Sequence, residues 1–200
     1  MACFAGVMGP EDGLQELVNS IRHIVCDRNR KDVRFVLLGD GSARKSAMAE
    51  FEACDLDDFV EMPGMIRDRD LLRQYLCTAD VLLSPEPLTP LNNSSTFIKV
   101  GEYMAMGKPT VAYDLKETRF TAQESAVYVE PGNFQEYGEA ILALLDNPAL
   151  REHMGEIGRL RFRDCLAWDF QEKILLEAYG CATPKTGGQG GNQIRETMNC

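Results

Sequence analysis

The 200-residue chain has no excess of basic charge: 21 Lys and Arg stand against 31 Asp and Glu, for a net charge of −10. A chain without a basic surface is a poor non-specific binder of nucleic acid, and no nucleic-acid partner is expected. Apolar runs are short, as at Val81-Leu-Leu83, far from the ~20 residues of a membrane span. Met1-Ala-Cys-Phe-Ala-Gly6 lacks the basic stretch and apolar segment of a secretory signal, so a cytoplasmic setting is expected. Seven cysteines stand at 3, 26, 54, 77, 165, 181 and 200, with no Cys-x-x-Cys, so neither a zinc knuckle nor a thioredoxin-type pair is supported. Free and mostly buried thiols are the expectation, with Cys181 and Cys200 exposed. His23 and His153 fall within helical patterns and read as surface or packing residues.

What is present alternates between two periodicities. Phe4 to Val7 is a short apolar segment, and Leu14, Leu17, Val18, Ile21, Ile24 and Val25 recur at helical spacing. Val33–Leu38 predicts a strand, ended by Gly39-Asp-Gly41, and a polar helix follows over about 43–54. Phe59–Met62 predicts a strand ended by Pro63-Gly64, Asp70–Cys77 a helix, and Val81–Ser84 a strand running into Pro85-Glu-Pro-Leu-Thr-Pro90. Ser94 and Ser95 read as caps of the next helix, with Gly107 and Pro109 ending it. Strands at Thr110–Tyr113 and Ala126–Val129 follow, then helices over about 133–146, 148–163 and 167–179, with Trp168 anchoring the last in a core. Strands alternating with helices build a doubly wound parallel sheet, an α/β Rossmann-like domain. The expected organisation is one domain over 1–182 and a disordered Gly-rich tail over 183–200.

Ligands of such sheets sit beyond the carboxyl ends of the strands. The stretch from Ser84 to Pro109 is the most informative there. Ser94, Ser95 and Thr96 at a helix start, with its unpaired N–H groups, suit an anion such as a diphosphate. At helical spacing Ser95, Lys99 and Glu102 share a face, opposite Phe97, Val100 and Met104. The order of groups suits a nucleoside diphosphate: an ammonium for the phosphates, then a carboxylate that accepts from both ribose hydroxyls. Spacing alone equally permits a solvated Lys–Glu pair. Gly39-Asp-Gly-Ser42 reads as a tight turn, and Arg44 stands where a P-loop needs glycine.

Four segments bring a resemblance into view. They are Phe35-Val-Leu-Leu-Gly-Asp-Gly41, Phe59-Val-Glu-Met-Pro-Gly64, Tyr75-Leu-Cys-Thr-Ala-Asp-Val-Leu-Leu-Ser84 and Lys99-Val-Gly-Glu-Tyr-Met-Ala-Met-Gly-Lys-Pro109. Their order resembles the C-terminal half of GT-B glycosyltransferases of family 4, also called glycosyl transferases group 1, over about residues 2–180. The resemblance implies a nucleotide-sugar donor site. Glu102 stands where the family's E-x7-E motif ends and implies a ribose contact. Lys99 implies a diphosphate contact, and the backbone around Gly64, Met65 and Ile66 a turn that binds the base. Lys99 and Glu102 are the residues it points to for catalysis.

It further implies transfer of a glycosyl unit from a UDP- or GDP-sugar without a metal ion or other cofactor, with retention of configuration. The acceptor is expected on an N-terminal domain for which this chain has no room. Alone, the chain is expected to be inactive and to self-associate through the exposed domain interface. The full-length enzyme is expected in the cytoplasm or peripheral to a membrane. Two departures stand out. Ser94 replaces the first Glu of E-x7-E, and Gly6-Val-Met-Gly-Pro-Glu-Asp-Gly13 lacks the basic residues that the family places at the leaving diphosphate. Glu86 is the one acid in the loop over 84–96. A sugar-nucleotide binding module without transfer activity, and half of a sugar-nucleotide epimerase, are the alternatives; an epimerase needs acid and base groups that this loop scarcely offers.

Overall fold

The computed structural model describes residues 1–182, so the expected tail over 183–200 lies outside the described residues. Six short strands form one sheet: β1 (Ala2–Ala5), β2 (Phe35–Leu38), β3 (Val60–Gly64), β4 (Val81–Ser84), β5 (Thr110–Tyr113) and β6 (Ala126–Val129). Every pairing is parallel, and the order is β3-β2-β1-β4-β5-β6. All four residues of β1, β2, β4 and β5 are buried. A parallel sheet covered on both faces requires this, which is why these strands read as unbroken apolar runs.

The helices are α1 (Leu14–Arg22), α2 (Arg44–Ala53), α3 (Arg69–Thr78), α4 (Pro90–Asn93), α5 (Ile98–Ala105), α6 (Lys116–Ala122), α7 (Phe134–Leu145), α8 (Pro148–Arg161) and α9 (Trp168–Ala182). Local chemistry sets several starts. The Asp68 carboxylate accepts the N–H groups of Asp70 and Leu71 ahead of α3, and the side chains of Asn133 and Asn147 cap α7 and α8. Alternate residues of β1 divide the core: Ala2 and Phe4 pack with α1 and α7, while Cys3 and Ala5 pack with Leu76 of α3 and Tyr103 of α5. The doubly wound expectation therefore holds. The chain adds strands outward from β1 to β3, then returns to add β4 to β6 on the other side of β1. That reversal opens a crevice at the carboxyl ends of β1 and β4.

Several expectations need correction. Ser94 and Ser95 do not cap the following helix. A separate turn, α4, ends before them, and α5 starts only at Ile98, with Phe97 as its uncapped first flank. Trp168 is not a core anchor: it is 64% exposed, and no residue of α9 up to Gly180 is buried. The chain turns at Ala167 into an extended conformation, and the core is already closed by α7 and α8. Among the cysteines whose burial is described only Cys3 is buried, Cys54 and Cys165 are half-buried, and Cys26 and Cys77 are exposed on helix surfaces. Strand β3 runs through Pro63-Gly64 instead of ending before them, because an edge strand tolerates the missing N–H. Helix α6 was not expected. His23 matches its packing role, its two ring nitrogens each 3.0 Å from a carboxylate, Asp27 and Glu139.

Candidate active site

Three loops at the carboxyl ends of the strands are tied together by their backbones. The N–H of Gly6 donates to Leu38 O at 3.0 Å, that of Gly39 to Gly64 O at 2.9 Å, and that of Met8 to Asp40 O at 3.1 Å. Gly39 lies at φ +137°, and a Cβ there would fall 1.8 Å from Gly6 O, so only glycine lets the two strand ends approach this closely. The result is a backbone floor under a cleft of about 480 Å³.

Helix α5 forms one wall. Its Tyr103, fully buried, pins it to the sheet: the phenol oxygen accepts the N–H of Ala5 at 3.0 Å and stands 3.3 Å from Ala5 O and Leu83 O. Burial drives this phenol well above its ordinary pKa, so it remains a neutral donor and acceptor. Lys99, in the first turn of α5, lies over Gly6, where an added Cβ would be 2.8 Å from Nζ. Its ammonium also sits 4.5 Å from the centroid of the Phe4 ring. The cation is held from beneath by Glu86, whose Oε1 accepts from Nζ at 2.5 Å. The Glu86 carboxylate is 1% exposed, and its Oε2 accepts from the Ser84 hydroxyl. A carboxylate buried this deeply needs a charged partner and hydrogen bonds, and Lys99 with Ser84 supplies both. Asp12 Oδ1 stands 3.9 Å from the same ammonium on the cleft side.

Glu102, one turn further along α5, is exposed and lines the cleft with Lys99 and Thr96. The opposite wall is the turn after β3, with Met65, Ile66 and Leu72 of α3; Gly64, at φ +88°, starts that turn. Lys99, Glu102, Thr96, Met65 and Ile66 thus share one cleft. Ser94 and Ser95 do not line it. Their hydroxyls donate backward to Pro90 O and Leu91 O, at 3.0 and 2.7 Å. Ser95 lies off α5 and does not share its face with Lys99. Phe97 and Ile98 take the places next to Thr96; Phe97 lines the cleft and, as expected, also packs against Val100 and Met104.

Two groups were missed or undervalued in the sequence. Glu86 gives no periodic signal in a proline-rich loop, yet it is the support of Lys99. Asp12 sits in a turn notable from sequence only for its lack of Arg and Lys. Helix α5, like any helix, begins with N–H groups that have no partner within it, close to Lys99. The cleft therefore offers one ammonium, backed by the buried Glu86, and those N–H groups against the carboxylates of Asp12 and Glu102, between a backbone floor and an apolar wall. That combination can hold an anion at one end and hydroxyls and a flat apolar group at the other.

Comparison with known proteins agrees with this architecture. The family model of glycosyl transferases group 1 matches residues 1–147. The alpha-D-kanosaminyltransferase of Streptomyces kanamyceticus is 26% identical over 155 residues, covering 76% of this chain and 38% of that protein. The D-inositol 3-phosphate glycosyltransferase of Xylanimonas cellulosilytica is 27% identical over 188 residues, covering 91% of this chain and 42% of that protein. The chain thus spans about two fifths of the length of these curated relatives. Among solved structures, Anabaena HepE in complex with UDP and glucose superposes with a TM-score of 0.76 at 16% identity, over 90% of this chain and 48% of that one, a likeness of fold. By its sequence over 1–147 and its Rossmann-like sheet of the GT-B type, the chain belongs to the glycosyl transferases group 1.

Proposed function

We propose that this chain is the donor-binding half of a glycosyltransferase that moves a sugar from a nucleoside diphosphate sugar to an acceptor. The single observation that carries the reading is the meeting of Lys99 and Glu102 in one cleft opposite the Met65–Ile66 turn. The diphosphate lies against Lys99 and the first N–H groups of α5, near Thr96. The ribose hydroxyls donate to the Glu102 carboxylate. The base rests on the turn from Gly64 to Ile66. A UDP- or GDP-sugar has these parts in this order, and the UDP held by HepE supports the same class of donor.

Transfer breaks the bond between the anomeric carbon and the diphosphate, and charge gathers on the leaving oxygens. Lys99, immobilised by Glu86 and the Phe4 ring, is positioned to meet that charge without reorganising. No protein-held metal ion enters the reading, and the sugar is transferred with retention. The acceptor belongs to a further domain, as the chain's share of its relatives' length suggests. Alone, the chain binds donor and does not turn it over. In cells we place it in the cytoplasm or against a membrane surface; among the described residues no helix is long and apolar enough to cross one.

Calorimetry tests the site. UDP and GDP are titrated into the chain and into Lys99→Ala and Glu102→Ala variants, each expected to weaken binding about tenfold or more. Glu102→Ala should also erase the preference for UDP over its 2′-deoxy analogue. Unchanged affinity in both variants would reject the assignment. One observation favours a second reading, a binding module without transfer activity: Glu86 and Asp12 already compensate Lys99, and the β1–α1 turn adds no cation. Absence of transfer by the full-length protein, with donor binding intact, would select it. An epimerase is disfavoured because Glu86 is buried and committed to Lys99 and Ser84.

A further inference from the structure

The turn between β1 and α1 carries an acid into the cleft. Asp12 lines it, with its side chain 18% exposed and Oδ1 3.9 Å from the Lys99 ammonium. The other oxygen, Oδ2, accepts the N–H of Gly9 at 2.9 Å. The turn around it is fixed. It opens with Pro10, and Gly13 closes it at φ +75°, where a Cβ would fall 1.9 Å from Pro85 O. Backbone on both sides of Asp12 is therefore set, and the Gly9 N–H holds its carboxylate beside Lys99. Nor does Lys99 need it as a partner, since Glu86 already holds the ammonium from the buried side.

We propose that Asp12 is a specificity-determining residue of the donor site: fixed beside Lys99, its carboxylate weakens the hold on a diphosphate, and most on the free nucleoside diphosphate. The inference rests on the reading of Lys99 as the diphosphate contact. Free UDP ends in a terminal phosphate whose second ionisation lies near 6, as for a phosphate monoester. At neutral pH it therefore carries about one negative charge more than the same diphosphate esterified to a sugar. Repulsion from Asp12 falls harder on the leaving product than on the incoming donor. A site with one compensated cation thereby avoids trapping its product.

The test is calorimetry on the 200-residue chain with UDP, UDP-glucose and uridine as probes. Asp12→Asn removes the charge and keeps an oxygen for Gly9. It should tighten UDP about tenfold, UDP-glucose by less, and uridine not at all. Asp12→Ala, which also gives up the Gly9 contact, should share the gain. If Asp12→Asn binds UDP no better while Lys99→Ala still loses it, the role of Asp12 is overturned and the reading of the cleft stands. If Lys99→Ala binds UDP as the parent does, the reading of the cleft itself falls. Equal gains for UDP and UDP-glucose, or a gain for uridine matching that for UDP, would also overturn the proposal.

Discussion

Tyr103 shows how one side chain serves fold and site together. Its hydroxyl meets the N–H of Ala5 and the carbonyls of Ala5 and Leu83, at the ends of β1 and β4 next to the cleft. Tyr103→Phe keeps the ring and its packing but orphans a fully buried N–H. Such a loss costs about 1–3 kcal/mol. Thermal or urea unfolding should show a destabilisation of that size, while UDP affinity changes much less, since the hydroxyl does not face the cleft. A variant as stable as the parent would mean that Ala5 N–H finds another partner. At this same scale the sequence was partly legible. Lys99 and Glu102 were visible because a four-carbon ammonium and a carboxylate three residues apart share a helix face. Glu86 and Asp12 were not, because what matters about them is distance to Lys99 across 13 and 87 residues, which no local pattern encodes.

Elements were legible where one rule decided them. The bounds of β4, β5 and β6 agree with the sequence reading to the residue, because each is a short, largely apolar run between turn-forming residues. The start of α5 was not. Ser94 and Ser95 have cap chemistry, but their hydroxyls are taken by carbonyls of α4, a turn set off by Thr89, whose hydroxyl accepts the N–H of Asn92. Asn92 itself bonds Glu11 O and Pro87 O, so contacts between distant loops decide where α5 begins. Trp168 failed for a related reason: an apolar residue on a helix predicts burial only if another layer covers that helix. The placing of α5 also depends on α8. Gly155 of α8 lies against the end of α5, where an added Cβ would be 2.1 Å from Gly107 O, a backbone atom that cannot yield cheaply. Gly155→Ala should therefore overpack this crossing, at about 1–3 kcal/mol, and weaken UDP by tilting α5. The same change at Gly180 within α9, where a methyl meets nothing within 4 Å, should not destabilise the fold, since alanine is the better helix former, and should leave binding as it was. Equal effects at the two glycines would contradict the packing argument.

At the scale of the whole molecule, the apolar surface is unevenly distributed. Helix α9 exposes Trp168 (64%), Phe170, Ile174 (55%), Leu175 and Leu176 (62%) on a single element. Five large apolar side chains exposed on one helix are a strong drive to association. We expect the isolated chain to self-associate through this helix. The net charge of −10 opposes association at low salt. At 0.15 M salt the screening length is about 8 Å, and short-range apolar contact should prevail. Sedimentation velocity over a concentration series should then show a sedimentation coefficient that rises with loading. Ile174→Glu combined with Leu176→Glu should remove the rise. Ile98→Glu, which alters an 80%-exposed apolar residue at the cleft instead, should not. A parent chain that sediments as a monomer at every loading would show that α9 does not drive association. Loss of the rise in the Ile98 variant alone would move the sticky face to the cleft, and with it the surface on which an acceptor or a further domain should be sought.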